Sequence, residues 1–381
     1  MTATVFTGAD IFDGDRLHAG AALVVEDGRV AAIVPPGEAP QGHRVELDGG
    51  TLAPGFIDLQ VNGGGGVQLN GQPDLAGIRA ICAAHGRLGT TGLLPTLITD
   101  TPEVTRAAVE AGVAATGSVP GFLGLHLEGP HLDPRRKGAH DPALIRSMTQ
   151  GDLDMLRDAA ARLPALLVTL APASATAEQI ASLAAAGVIV SLGHSDAGLA
   201  EARAAFGAGA RMVTHLFNAM SQLGNREPGL VGAALDEEGV AAGLIADGVH
   251  VAPESMRIAL AAKRGADGVF LVTDAMAVAG SDLTEFTLNG RRILRQEGRL
   301  TLEDGTLAGA DIDFPGAIRE LVQKVGLSLP QALRMATAAP ATALGVGDRL
   351  GRLAPGLPAD LVHLDADLAL RGVWRAGEAQ T

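Results

Sequence analysis

Several ionisable residues in this sequence stand directly behind short apolar runs. His126-Leu-Glu128 follows GFLGL, Gly193-His194-Ser195 follows GVIVSL, and Thr214-His215-Leu-Phe-Asn218 follows RMV. Asp247-Gly-Val-His250 follows VAAGLIA, and Thr273-Asp274 follows GVFLV. Taken singly, each has an ordinary structural explanation as a hydrogen-bonded histidine or a turn-capping acid. Together, Glu128, His194 and His215 form a donor set for one divalent cation, because neutral imidazoles and a carboxylate suit such an ion. Three protein ligands also leave a coordination position open for water. His126 lies two residues before Glu128, on the same face of a strand, either as a further ligand or as a partner holding a neighbour in place. Asp274 ends an apolar run, where a carboxylate without work or a partner is costly. Beside a cation that brings the pKa of water to about 7, it is placed to take a proton and return it; a helix cap is the plain alternative.

These residues need elements that bring them together. Eight apolar runs read as buried strands: TLAPGFIDLQVNG from 51, GTTGLLPTLI from 89, VPGFLGLHLEG from 119 and ALLVTLAP from 165, then GVIVSLGHS from 187, RMVTHLFN from 211, VAAGLIADG from 240 and GVFLVTDAM from 268. Helical patterns such as DLAGIRAICAAHGRLG and DAGLAEARAAFGAGA fill most of the gaps. Alternating strands and helices predict the α/β class, and eight of them predict a (β/α)8 TIM-like barrel over residues 51–347, with an open doubly wound sheet as the alternative. In such a barrel the chemistry sits at the C-terminal strand ends, where these polar residues fall. Residues 1–50 and 348–381 read as short strands, with a hairpin turn at Asp27-Gly28, and predict one small β-sandwich domain built from both termini. Residues 282–308 read as a β insertion with turns at Asn289-Gly290 and Asp304-Gly305. Gly63–Gly66 reads as a mobile loop without a phosphate-loop fingerprint. Arg135, Arg136 and Lys137 are either a solvated face or substrate contacts, His140 is the better contact, and His131 is a loop residue.

Composition narrows the function classes. The chain has 381 residues, 47% hydrophobic and 19% charged, enough apolar material for a large core and too little charge for disorder. Aromatics are 3% with no Tyr, so the core must come from Ala, Leu, Val and Ile. A net charge of −14 repels polyanions, so no nucleic-acid partner is expected, and an anionic metabolite would need a local cationic pocket. Cys82 is the single cysteine, so no internal disulfide is possible. The start, MTATVFTGAD, lacks a basic segment followed by an apolar run, and no run approaches the ~18–20 residues that span a bilayer. A cytoplasmic protein with no membrane partner is the expectation.

The ordered set GLHLEGPHLDPRRKGAH, SLGHSDA, THLFNAM, REPGLVGAALD, ADGVHV, LVTDAM and GTLAGAD resembles the N-acetylglucosamine-6-phosphate deacetylases of the amidohydrolase superfamily. APGFIDLQVNGGGGVQLN near the start and RMATAAPATALGVGDRLGRLAPGLPADLV near the end extend the likeness over nearly the whole chain. The resemblance implies a barrel flanked by a small β domain, a homodimer, and hydrolysis of N-acetylglucosamine 6-phosphate to glucosamine 6-phosphate and acetate. It matches Glu128, His194 and His215 to metal ligands and Asp274 to the general base and acid. Ala139 and His140, Asn218 and Ala219, and Leu307, Ala308 and Gly309 match substrate contacts. Arg226 and His250 match phosphate-binding positions, and an Arg fork with a His donor suits phosphate. The resemblance implies one divalent metal, zinc first, with iron, cobalt and manganese open.

Much of that superfamily has His-x-His in the first strand; here Gln60 and Asn62 stand there, and amides are poor ligands for a second metal. Gln60 is a candidate substrate contact instead. Asp311 and Asp313 occupy positions where the family usually has uncharged residues. The rivals are a binuclear amidohydrolase, which needs the missing histidines and a fourth-strand Lys that ALLVTLAP lacks, and a non-catalytic sugar-phosphate binder.

Overall fold

The structure, a computed structural model, describes residues 3–265 and 267–380. Eight parallel strands pair in sequential order: Phe56–Val61, Thr90–Ile98, Leu125–Glu128, Leu166–Leu170, Ile189–Leu192, Met212–Val213, Ala241–Leu244 and Val269–Leu271. The ring closes beyond the eighth strand. Asp274 N–H donates to Gln60 O at 3.0 Å, and Asn62 N–H donates to Ala275 O at 2.8 Å. Beneath these bonds the buried carboxylate of Asp58 accepts the Thr273 hydroxyl at 2.5 Å and the Gln60 N–H at 3.1 Å. Burial pushes the Asp58 pKa up to about 7. The doubly wound alternative is excluded by this closure.

Side-chain alternation sorts the strands into two layers. Leu125, Leu127, Leu166, Val168, Val190 and Leu192 face outward and pack with the surrounding helices. Leu94, Leu167, Ile189, Met212 and Phe270 form an apolar cluster on the opposite parity. The helix after the first strand, Leu75–Arg87, is typical of the outer ring. Asp74 caps it by accepting Gly77 N–H at 2.8 Å, and Ile78, Ile81, Cys82 and His85 give it one buried stripe. Thr149 and Thr176 begin later helices with reciprocal caps to Asp152 and Gln179.

The run from residue 51 divides. Thr51–Pro54 pairs with Leu361–Leu364 in the terminal domain, and only Phe56–Val61 enters the barrel. The break is Gly55, where a Cβ would stand 2.1 Å from the Thr91 hydroxyl oxygen. A four-stranded sheet from the N-terminal segment and a six-stranded sheet drawn from both ends make up that small domain. Asp27 and Gly28 both take positive φ in its hairpin. The insertion is a four-stranded antiparallel sheet, Glu285–Leu288, Arg291–Gln296, Arg299–Leu302 and Leu307–Ala310, over its own apolar nucleus of Val278, Leu288, Ile293, Leu300 and Leu302. Gly63–Gly66 differs from the expected free loop. Gly63 and Gly64 pair with Val67 and Gln68, and the Gly65 and Gly66 N–H groups bond Ala279 O and Ala277 O, so main-chain hydrogen bonding ties the segment down.

Candidate metal centre

Glu128, His194 and His215 project from the ends of the third, fifth and sixth strands and are buried. Glu128 Oε1 lies 3.1 Å from His194 Nε2 and 3.0 Å from His215 Nε2, and the two Nε2 atoms are 3.1 Å apart. His194 and His215 have φ of 44° and 31°, and Asp274 has φ of 50°. Three non-glycine residues in the left-handed region at one rim concentrate backbone strain at the site.

The donor set passes a test for a cation. His194 Nδ1 is 2.8 Å from the Arg136 carbonyl oxygen, which only accepts, so that nitrogen carries the ring proton. Nε2 then points a lone pair at an anionic carboxylate oxygen. Such an approach is repulsive unless a cation or a proton lies between the atoms. Ligands at about 2.0–2.2 Å from a tetrahedral ion stand roughly 3.3–3.6 Å from one another, close to the observed separations. Burial works to raise the Glu128 pKa, but the adjacent His194 and His215 rings outweigh it and hold the carboxyl well below its ordinary value. Burial works to lower the His215 pKa, but Glu128, and then Asp274, outweigh it and raise the ring above its ordinary value.

Asp274 stands beside this group. Its Oδ1 accepts Asn62 Nδ2 at 2.6 Å and Gln60 Nε2 at 3.0 Å, and Gln60 Nε2 also reaches Glu128 Oε2 at 3.3 Å. Burial and then repulsion from Glu128 push Asp274 up to about 6. Gln60 therefore bridges the two carboxylates, and Asn62 holds Asp274 alone.

A cavity of about 240 Å³ opens over these groups. His140, Ala139, Asn218, Ala219 and His250 line it, as do Leu307, Ala308 and Gly309. Gly309 must be glycine: its φ is 75°, and a Cβ would stand 2.4 Å from Met276 Cγ and 2.9 Å from Asp274 O. The Thr99 hydroxyl and backbone N–H lie 2.7 Å and 3.4 Å from His140 Nδ1, so the N–H makes Nδ1 the acceptor and the ring proton belongs on Nε2. Burial drives the His140 pKa well below its ordinary value, so the ring is neutral. His250 Nδ1 bonds Asp247 Oδ2 at 2.6 Å. Arg226 is not brought to the cavity; it lies on the exposed segment 222–227. Gln60 is buried behind the carboxylates and does not line the cavity.

The remaining polar residues find structural partners. His131 is buried, with Nδ1 donating to Arg146 O at 3.1 Å. Arg135 and Arg136 pair with Asp133 and Asp196, and Lys137 is exposed. Asp311 accepts Arg295 Nε at 2.8 Å, and Asp313 caps the helix Phe314–Glu320 through Gly316 N–H. Sequence reasoning missed Thr99 and the apolar lining residues Ile98, Met276 and Leu288. Thr99 stands one residue past a buried strand, which was the only signal available.

An eight-stranded barrel with Glu, His and His around one point, able to hold one metal ion, and an aspartate just past the eighth strand has the architecture of an amidohydrolase. Residues 51–380 match the amidohydrolase family. The chain is 43% identical to the N-acetylgalactosamine-6-phosphate deacetylase of Shewanella sp. (strain ANA-3), covering 97% of this chain and 94% of that one. It is 37% identical to the N-acetylglucosamine-6-phosphate deacetylase of Haemophilus influenzae, covering 89% of each. The solved N-acetylglucosamine-6-phosphate deacetylase of Pasteurella multocida superposes with a TM-score of 0.95 at 35% identity, over 100% of both chains. The chain belongs to the amidohydrolase family, in its branch of N-acetylhexosamine-6-phosphate deacetylases.

Proposed function

We propose that this enzyme hydrolyses the N-acetyl group of N-acetylglucosamine 6-phosphate, releasing acetate and glucosamine 6-phosphate. The observation that carries the reading is the convergence of Glu128, His194 and His215 within about 3.1 Å, beside an acid with a raised pKa and under an open cavity. A divalent ion held by those three residues would polarise the acetyl carbonyl and acidify a water; zinc, iron, cobalt and manganese all suit the donors.

The chain's own groups supply the rest. Asp274 takes the proton from the attacking water and later delivers it to the departing amine nitrogen. Its pKa near 6 suits both transfers, since a carboxyl at its ordinary value would return the proton poorly. Asn62 and Gln60 fix the carboxylate through Oδ1 and leave Oδ2 for the proton. His140, neutral and protonated on Nε2, donates to the oxyanion. His250 and the Asn218–Ala219 segment hold the sugar phosphate at the sixth and seventh strand ends; Arg226, which lies outside this chain's own cavity, would offer its guanidinium fork to the phosphate only across the homodimer. Leu307, Ala308 and Gly309 bound the sugar from the insertion side. The working form is a cytoplasmic homodimer.

The 43% identity to a protein named for the galactosamine epimer favours a second reading, in which N-acetylgalactosamine 6-phosphate is the preferred substrate. Acetate release measured with both 6-phosphates and with unphosphorylated N-acetylglucosamine decides. The better epimer is read from kcat/KM, and no acetate from either phosphate overturns the deacetylase reading.

A further inference from the structure

Beneath the metal-site residues, the barrel interior carries a line of polar groups that neither the metal reading nor the cavity uses. His126 Nε2 is 2.7 Å from the Thr169 hydroxyl, Thr169 is 2.6 Å from the Thr214 hydroxyl, and Thr214 is 2.7 Å from the Ser191 hydroxyl. All four residues are at most 5% exposed. They come from the third, fourth, sixth and fifth strands, on the same parity as the inner apolar cluster.

The direction of every bond follows from one carbonyl. His126 Nδ1 lies 3.1 Å from Leu59 O, and a carbonyl only accepts, so Nδ1 holds the proton. Nε2 of the neutral ring must then accept from Thr169. With its proton committed to His126, Thr169 accepts from Thr214, and Thr214 accepts from Ser191. The result is a one-way relay, Ser191 to Thr214 to Thr169 to His126 to Leu59 O. Each member has a defined donor or acceptor, the condition under which a buried polar network rigidifies its surroundings.

The relay sits where the metal-site residues need spacing. His126 is two residues below Glu128, Ser191 is three below His194, and Thr214 directly precedes His215. The fourth strand contributes no ligand, yet it separates the strand of Glu128 from the strand of His194. Thr169 spans that gap and is in register with Glu128 itself.

We infer that Thr169, through this relay, is the positioning residue that sets the relative heights of Glu128, His194 and His215, and so sets the affinity of the site for its divalent ion. The inference rests on the metal reading given above.

The test is zinc affinity by chelator competition on the full chain, with the cobalt(II) absorption spectrum as a second readout. Thr169→Val keeps the shape but removes the hydroxyl, leaving His126 Nε2 without a donor. Weakening by about 10-fold or more is expected, the usual effect of losing a partner behind the ligands, together with an altered cobalt spectrum. Thr169→Ser restores the hydroxyl and brings affinity back to within about 2-fold of the parent, since the hydrogen bond is remade. Ser191→Ala removes only the first donor and weakens binding by about 3-fold, which keeps the test open if Thr169→Val does not fold. Parent-like affinity in Thr169→Val and Ser191→Ala, or a Thr169→Ser protein as weak as Thr169→Val, overturns the inference. A parent chain that binds no divalent ion overturns the metal reading, and this inference with it.

Discussion

Replacing Asp274 by Asn changes one atom of a buried side chain. Asn62 Nδ2 and Gln60 Nε2 both donate to Oδ1, at 2.6 and 3.0 Å, and an asparagine oxygen in that place keeps both bonds. The amide nitrogen replaces Oδ2, the atom left to move a proton, and it cannot accept one. Loss of a positioned general base costs 10²–10⁴-fold, or about 3–5 kcal/mol of barrier. The structure also sets a stability change of opposite sign. Burial and Glu128 raise the folded-state pKa of Asp274 from 3.8 to about 6, so its contribution is fully present below pH 3.8 and is lost as pH rises through 6. At pH 8 the metal-free parent therefore carries a penalty that the neutral amide lacks, on the order of 3 kcal/mol. Acetate release with metal content checked, alongside melting of the metal-free proteins at pH 4 and pH 8, measures both. Expected are normal metal binding, kcat down at least 100-fold, and a melting temperature above the parent's at pH 8 that converges at pH 4. A kcat within 10-fold of the parent would refute the assignment of Asp274 as proton carrier.

The pH dependence of kcat/KM should fall on the acid side with an apparent pKa of 6 or lower, because burial raises the Asp274 carboxyl and a bound cation would draw it back down. That limb should vanish in Asp274→Asn, and its persistence there would assign it to another group. His250→Ala and Arg226→Ala should each raise KM for the 6-phosphate by about 10-fold or more while sparing unphosphorylated sugar, since each removes a bond to a charged phosphate; equal losses on both substrates would count against phosphate contact. Stripping the metal with a chelator should abolish turnover and lower the melting temperature, and zinc at 1,000 times its Kd should add about 4 kcal/mol of stability. A stripped chain that keeps its turnover would exclude the metal reading.

The strand ends were legible in the sequence because each donor there directly follows a short apolar run, and strand geometry fixes which face a residue shares. Glu128, His194, His215 and Asp274 needed nothing else to be placed at one rim. Gln60 was legible as a residue at the first strand end but not in its orientation, because only the closed ring brings its amide against Glu128 and Asp274. The relay residues Thr169, Ser191 and Thr214 were invisible for a different reason: threonine is an ordinary strand former, and a buried hydroxyl has no signature until its partners on other strands are known. Asp311 and Asp313 were unexplained because their partners, Arg295 and the Gly316 N–H, are defined by the folded insertion and the helix that follows it. The split at Gly55 was hidden inside one continuous apolar run, where hydropathy does not register that Thr91 leaves position 55 no room for a side chain.

Asp274 occupies the stitch that turns an open sheet into a ring, since its own N–H makes one of the few bonds across the join with Gln60. Any loosening of that join carries the carboxylate away from Glu128 while the helices and the other seven strand pairings stay in place. Turnover is thus a gauge of circular closure, and a chain whose helical signal is intact can already be chemically silent.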